Sequence, residues 1–308
     1  MVSGCYLRKR RKCRKIGNRK PQEDNMEDLK LLEKLEQFKA ESKQQAIRLT
    51  AQRSDRTTAT SSKFGGLPYL PKNFVYPTDA QGNPLKLLAQ LNFGELPRLA
   101  DFPMSGILQF FVLFDDIIGL NLDNLAKNDK HKIIYHEKIL PENQQMTDFP
   151  KIKYVGKYSE EDGFPFFPFE DEFLLTGELI DICIHPSVCD FDDKFLPFCE
   201  KHNIKYDVSD AETFDEIQEM LYEILEDEDQ HLIGGYPSFC QGDPRNIYGN
   251  EKLLKYDTLL LKISSDYSQK KPKDHISWAD SGVANFFVNF ADLKNLKFDD
   301  VLYTWDCC

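Results

Sequence analysis

The chain has 308 residues, a formal net charge of −12 and an apolar content of 41%, which is enough for a substantial hydrophobic core. Residues 1–20 contain nine Lys or Arg and no acid, so the rest of the chain carries 30 basic and 51 acidic residues, a net charge of −21. Such an acidic body repels phosphate backbones, which excludes general nucleic-acid binding through the folded part.

The N-terminal 60 residues fall into two predicted segments. Residues 1–24 have almost no apolar content, and their run RKRRKCRK favours a disordered, solvated tail over an import signal or a contact with RNA or acidic lipid. Residues 25–60 combine an amphipathic helix, with Leu31, Leu35 and Phe38 on one stripe, and a polar linker rich in Ser and Thr that begins at about residue 50.

Short apolar runs separated by turn residues dominate residues 61–308, which we expect to form a single domain. Strands are predicted at residues 85–93, 106–114, 132–136 and 259–264. Strands and helices do not alternate regularly, which argues against a doubly wound sheet. The pattern predicts an α+β fold that is mainly antiparallel β and roll-like, with peripheral helices.

The clearest helix is predicted at residues 209–230, with Ser209 and Glu212 as a capping box. The acidic run EDEDQ at its end lacks the residue spacing of a calcium loop, which favours a solvated face. The apolar stripe of this helix consists of Phe214, Ile217, Leu221, Ile224 and Leu225.

Three blocks of sequence occur twice, in the same order. FGGLPYLP corresponds to IGGYPSFC, LLAQLNF to LLLKISS, and SGILQFFVLF to SGVANFFVNF. Three matches in the same order are much stronger evidence for an internal repeat than any single match. We infer two pseudo-repeated sheet units, residues 61–140 and 231–308, separated by an acidic, helix-containing insertion at residues 141–230.

These blocks also carry a family resemblance. The segments SKFGGLPYLPKNFVYP, LLAQLNF, GILQFFV, GGYPSFCQGDPR and WADSGVANFFV, in this order, resemble the YwqG-like family of uncharacterised bacterial proteins, from about Ser61 to Trp305. The resemblance implies a soluble, cytoplasmic, mainly β protein of the α+β class with a roll-like core. It implies no particular activity.

Both copies of the strand SGILQFFV place an amide among apolar residues. Gln109 and Asn285 occupy the same position, and burial of either amide without partners costs about 1–3 kcal/mol. The sequence favours bonds to the main chain of the neighbouring GG-x-P turn over contact with a ligand in a cleft between the units. Gln90 and its counterpart Lys262 add polar groups to a second pair of apolar strands.

Polar residues of the second unit form the candidate ligand site. Gln241, Asp243 and Arg245 follow its glycine turn, while Trp278 and Asp280 precede its repeated strand. A guanidinium suits a carboxylate or phosphate, and an indole offers a stacking face. A loop ion pair and core packing of the tryptophan are the simpler alternatives, and the sequence favours them.

We expect a cytoplasmic, non-catalytic binding module that recognises a protein segment or a small polar ligand. One alternative is a hydrolase or transferase that uses Asp243, Asp280 and Arg245; another is an acidic protein that neutralises a basic partner. We expect no cofactor and no metal, since the cysteines and histidines lack ligand spacing. No apolar run approaches the roughly 20 residues of a membrane span, so no membrane association is expected.

Overall fold

The computed structural model describes residues 24–207, 209–225, 230–246, 250–268 and 275–307. The predicted basic tail, apart from its last residue, and the acidic residues 226–229 lie outside them. The helices found within these ranges are α1 (Asp24–Glu41), α2 (Phe191–His202), α3 (Ala211–Ile224) and α4 (Phe290–Lys294). The strands are β1 (Gln44–Arg53), β2 (Lys63–Phe64), β3 (Lys86–Asn92), β4 (Ile107–Val112), β5 (His131–His136), β6 (Phe173–Ile182), β7 (His231–Gly234), β8 (Thr258–Ser264), β9 (Val283–Val288) and β10 (Val301–Asp306).

These ten strands form one sheet in the order β10-β9-β8-β7-β1-β6-β2-β3-β4-β5. Every neighbouring pair is antiparallel, so the predicted mainly antiparallel α+β class is confirmed. The sheet curves into a nearly closed barrel whose inner face holds the largest apolar cluster. Phe110 and Phe286 meet in this core with their ring centroids 4.9 Å apart. The four strands predicted from apolar runs all form, as β3, β4, β5 and β8.

Side chains, rather than main-chain pairing, connect the edge strands β5 and β10. Nε2 of His131 lies 2.9 Å from the carbonyl oxygen of Val301, and the hydroxyl of Tyr303 donates to the carbonyl of Ile118 at 3.0 Å. His131 and Tyr303 are almost completely buried there. These two contacts join the ends of the sheet, from β10 to β5 and to the segment that precedes β5.

Strands β1 and β6 lie at the centre of the sheet, outside both predicted units. They pair over ten residues, from Gln44 opposite Ile182 to Arg53 opposite Phe173. Residues 50–53, predicted as the start of the polar linker, belong to β1, and the insertion predicted at residues 141–230 contains strand β6 besides its helices. Apolar and polar residues do alternate within β1, at Ile47, Leu49 and Ala51. The polar Gln and Arg residues at both ends of the strand make this two-residue period hard to recognise in the sequence.

Helices α1, α2 and α3 form a second apolar cluster beside the barrel. Leu35 and Phe38 of the predicted α1 stripe are buried here and Leu31 is half-buried; the rings of Phe38 and Phe195 are 4.9 Å apart. The capping box at Ser209 is wrong, because α3 begins at Ala211 and Asp210 precedes it as N-cap. Of the helices in the described ranges, none combines the length and the apolar character needed to cross a membrane.

Paired glycines turn the chain onto the outer face of the sheet at two places. Gly65 and Gly66 have φ of +69° and +70°, and Gly234 and Gly235 both have φ of +69°. This left-handed conformation is accessible mainly to glycine. A Cβ built at Gly235 would lie 2.5 Å from Cδ1 of Ile182, so the position has neither conformational nor steric room for another residue.

Gly235→Ala is expected to lower the free energy of unfolding by about 2–5 kcal/mol, because backbone strain and overlap with Ile182 add. Gly82→Ala is the control, since Gly82 has φ of +85° with nothing within 4 Å of the built Cβ. That variant should lose only the strain component of about 1–2 kcal/mol. Urea denaturation of both variants measures the difference, and equal losses would contradict the packing argument.

Candidate functional site

Gln109 lies in a hydrogen-bond network on the outer face of the sheet. Its Nε2 donates to the carbonyl of Tyr69 at 2.6 Å and to Oε1 of Gln90 at 2.8 Å. Its Oε1 accepts from Nε2 of His136 at 3.1 Å. Tyr69 belongs to the segment that follows the first glycine pair, so this amide binds the main chain of the GG-x-P segment.

Gln90 completes the network from the neighbouring strand. Its Oε1 accepts from the main-chain N–H of Tyr69 at 2.8 Å, and its Nε2 donates to the carbonyls of Ala59 and Ser61, both at 2.8 Å. Both amides are fully buried. Because each amide has partners for its oxygen and its nitrogen, the network costs little and fixes the covering segments to the sheet.

Asn285 makes only half of the corresponding contacts. Its Nδ2 donates to the carbonyl of Ser238, in the segment after the second glycine pair, at 2.8 Å. Its Oδ1 is buried and has no hydrogen-bond partner in the described part of the chain. Opposite it on β8 stands Lys262, whose Nζ donates to the hydroxyl of Ser238 at 3.2 Å. The side-chain amide of Asn285 is therefore less completely hydrogen-bonded than that of Gln109.

Asp243 and Arg245 form a buried, bidentate ion pair. Nε and Nη2 of the guanidinium donate to the two carboxylate oxygens at 2.9 and 2.6 Å. The main-chain N–H of Cys189 also donates to Asp243, Nη1 of Arg245 donates to the carbonyl of Tyr256, and the guanidinium lies 4.2 Å from the ring centroid of Phe287. Burial opposes ionisation of Asp243, but the bonds and charge of Arg245 outweigh it and lower the pKa of the carboxyl. These contacts fix a loop to the sheet.

The other predicted site residues of the second unit make separate contacts. Trp278 is completely buried in the barrel core, with its ring 5.7 Å from that of Trp305. Asp280 is exposed, and exposed Gln241 donates to the carbonyl of Cys307 at 2.7 Å. None of the eight residues proposed from sequence lines any of the three cavities described in this fold.

One of these cavities, of about 380 Å³, lies between the outer face of the sheet and the ends of α1 and α3. We call it the basic cavity, because the described residues of its lining include four Lys or Arg and a single acidic residue, Asp181. The basic residues are Lys39, Lys43, Arg48 and Lys262. The apolar part of the wall consists of Ile180, Ile182, Ile224, Leu232, Tyr236 and Pro237.

Strand register places two of these cations in one row across the sheet. Arg48 on β1 lies opposite Leu232 on β7, which lies opposite Lys262 on β8. Strands are about 4.8 Å apart, so the Cα atoms of Arg48 and Lys262 are separated by roughly 10 Å. Lys262 is only 2% exposed, whereas Lys43 is exposed at the rim. The deepest charge of the cavity is therefore that of Lys262.

Two of the four cations also have ordinary structural roles. Lys39 lies in the last turn of α1, where a cation offsets the negative end of the helix dipole. Arg48 pairs with Glu178 on the neighbouring strand at 2.6 Å. Lys262 donates to the hydroxyl of Ser238 and interrupts an apolar strand, which makes it the lining residue with the clearest signal in the sequence.

The family model described as "Domain of unknown function (DUF1963)" matches residues 62–307. The chain belongs to this family. The matched range includes Lys262 and strands β2 to β10, while α1 and β1, which supply Lys39 and Arg48, precede it. No curated protein matches the chain. Among the described residues, no three His, Cys, Asp or Glu side chains are grouped as a metal site would require.

Gln109→Leu is expected to lower the free energy of unfolding more than Asn285→Leu. The first change leaves the carbonyl of Tyr69 and Nε2 of His136 without their partner, whereas the second affects only the carbonyl of Ser238. Each buried polar group left without a hydrogen bond costs about 1–3 kcal/mol. The loss should therefore be about 2–5 kcal/mol for Gln109→Leu and about 1–3 kcal/mol for Asn285→Leu. Chemical denaturation of both variants compares them; equal losses would show that the two amides are equivalent.

Acid should destabilise the fold between pH 7 and 5, before most carboxylates titrate. Burial lowers the pKa of His131, of His231 and of His136, the last to about 4. Each of these histidines binds a proton more readily in the unfolded chain than in the folded protein. Its contribution to the free energy of unfolding is therefore fully present above pH 6.5 and is lost as the pH falls. By pH 5 the loss from His136 alone is at most about 2 kcal/mol.

Denaturation of the wild type and of His136→Gln at several pH values measures this effect. His136→Gln should be less stable than the wild type at pH 7, and its free energy of unfolding should fall less steeply between pH 7 and pH 5. A wild-type stability that is constant across this range would contradict burial of the neutral imidazoles.

Proposed function

We propose that this protein is a non-catalytic binding module and that its ligand occupies the basic cavity. The observation that carries the proposal is a cavity of about 380 Å³ whose described lining combines apolar side chains with Lys39, Lys43, Arg48 and Lys262. Small-molecule sites usually have volumes of about 300–1,000 Å³ and combine apolar walls with a few polar groups. This volume suits a small polar ligand better than a protein segment.

We further infer that the two sheet units arose by duplication and that the second copy acquired the site. Three features support the relation: the paired left-handed glycines, the amides that each donate to the main chain of a GG-x-P segment, and the opposition of Gln90 to Gln109 and of Lys262 to Asn285. Where the first copy has a fully bonded amide, the second has a lysine next to a cavity.

The closer assignment to the YwqG-like family, and a cytoplasmic location, belong to the same proposal and rest on the sequence motifs. The hydrolase and charge-neutralising alternatives stay predictions of the sequence, because no contact described above favours either. The oxygens of Asp243, which a hydrolase would need, already accept hydrogen bonds from Arg245 and Cys189.

A ligand-observed NMR screen with small acids, amines and neutral polar compounds tests the site. Ile180→Trp fills the cavity from β6, and Leu179→Trp is the matched control on the adjacent, exposed position outside the lining. Compounds that bind the wild type should lose about tenfold or more in affinity, at least 1.4 kcal/mol, in the first variant and retain affinity in the second.

Alkylation of Cys183 provides a second measurement, because this half-buried residue lines the cavity and half-buried Cys240 does not. A bound compound should slow the alkylation of Cys183 and leave that of Cys240 unchanged. Peptide mass spectrometry measures both labelling rates. Compounds that bind Ile180→Trp and Leu179→Trp equally well would refute the site.

A further inference from the structure

A second cavity, of about 450 Å³, lies at the end of the barrel where β1 and β8 begin and β7 ends. We call it the end cavity. Its described lining comes from the starts of β1 and β8, the glycine pair at the end of β7, the loop at residues 99–102 and the first residue of α4. Ligand sites are frequent at the mouths of β-barrels, and this volume is within their usual range of about 300–1,000 Å³. The linings described for the end cavity and the basic cavity share no residue.

The charge of the end cavity is negative. Asp101 and Asp257 are the ionisable residues of its described lining, and both are exposed to solvent. The chain as a whole carries a net charge of −12, so the field of the molecule attracts cations and repels anions. The end cavity therefore favours a cationic ligand.

Two hydrogen bonds orient the side chain of Asp257, which immediately precedes β8. Its Oδ1 accepts from the main-chain N–H of Phe290 at 2.8 Å and from the hydroxyl of Thr258 at 2.9 Å. Its Oδ2 accepts no hydrogen bond from the described part of the chain. An ammonium group can thus donate to Oδ2 while Oδ1 keeps both partners, and such charge-assisted bonds are roughly twice as strong as neutral ones.

The ring of Phe290 adds a second feature that suits a cation. This ring is 42% exposed, and an ammonium within about 6 Å of an aromatic centroid is attracted to it. Lys294 already makes such a contact, with its Nζ 5.4 Å from the centroid of Phe290 and 3.5 Å from Oδ1 of Asp101. Because the side chain of Lys294 is 55% exposed, its contacts are weak and a ligand ammonium can displace it.

Apolar side chains form the inner wall of the end cavity. Leu99, Phe102 and Leu259 line it, and the first two belong to the apolar cluster inside the barrel. An apolar ligand body that covers this wall removes apolar surface from water, which favours binding. A bare metal ion would leave the wall in contact with water. The wall therefore favours an organic cation.

We propose that the end cavity is a second ligand site, which binds a small organic amine as its ammonium ion. The ammonium donates to Oδ2 of Asp257 and contacts the ring of Phe290, while the apolar body packs against Leu99, Phe102 and Leu259. This site is independent of the proposed function, because a different cavity and different residues carry it.

The test measures the binding of hexylammonium and hexanol by ligand-observed NMR at pH 7. Phenethylammonium and phenethyl alcohol repeat the comparison with an aromatic body. The proteins are the wild type, Asp257→Asn, Lys294→Gln and the control Asp123→Asn, which removes an exposed carboxylate outside the lining. Asp257→Asn keeps a side-chain oxygen for the N–H of Phe290 and removes the negative charge.

The affinity of both amines should fall about tenfold or more in Asp257→Asn, because a charge-assisted hydrogen bond is lost. It should rise about twofold to fivefold in Lys294→Gln, which removes the competing ammonium, and stay unchanged in Asp123→Asn. The alcohols should show no such dependence on Asp257 or Lys294. Thermal melting establishes that Asp257→Asn is folded, and the gain expected in Lys294→Gln cannot arise from unfolding.

The proposal is overturned if hexylammonium does not bind, if Asp257→Asn retains full affinity for the amines, or if the alcohols lose as much affinity as the amines in that variant. Ile180→Trp separates the two sites, since it fills only the basic cavity. Amine affinity that falls in Ile180→Trp and not in Asp257→Asn would place the amine in the basic cavity, which overturns the second site and leaves the proposed function intact. Amines that respond to Asp257→Asn are bound at the end cavity and do not count in the comparison of Ile180→Trp with Leu179→Trp.

Discussion

The structure depends on strands that are buried on both faces, β3, β4, β8 and β9, and whose outward-facing polar groups must therefore be satisfied. The inner face of the barrel is filled by apolar side chains, as the long apolar runs require. The outer face is covered by irregular segments, whose main-chain N–H and C=O groups have no strand partners. Buried amides on the strands supply those partners: Gln109 binds Tyr69, and Asn285 binds Ser238. Without these bonds the covering segments would lose both their position and their hydrogen bonds.

The glycine pairs turn the chain onto the outer face of the sheet, where these amides bind it. A chain that leaves a strand can return across the outer face only through a tight left-handed turn, and two successive residues with φ near +70° provide it. The turn at Gly235 packs so closely against Ile182 and Ala46 that any side chain would displace β1 or β6. The glycine turns, the amides and the central strands therefore constrain one another.

Lys262 belongs to the same framework and also lines the basic cavity. It stands opposite Asn285 as Gln90 stands opposite Gln109, and it donates to the hydroxyl of Ser238 in the segment that covers this part of the sheet. Residues of α1, β1 and α3 line this cavity together with it. The basic character of the cavity is local, since the chain as a whole is acidic.

The sequence by itself determined the antiparallel class, the positions of β3, β4, β5 and β8, and the expectation that the strand amides bind the main chain of the glycine turns. These features follow from local apolar periodicity and from the cost of an unpaired buried amide. It also drew attention to Lys262, which interrupts an apolar run, but it placed the candidate site at Asp243, Arg245 and Trp278, which the fold uses for a loop ion pair and for the core.

Only the tertiary structure decided that β1 and β6 are the central strands and that Lys39, Arg48, Asp181 and Lys262 line one cavity. These four residues are distributed over more than 200 positions of the sequence. They meet because β1 pairs with both β6 and β7, and no local pattern specifies which distant strands share hydrogen bonds. Polar residues on the outer face also carry no periodic signal of their own, so a site built from them emerges only when the sheet is assembled.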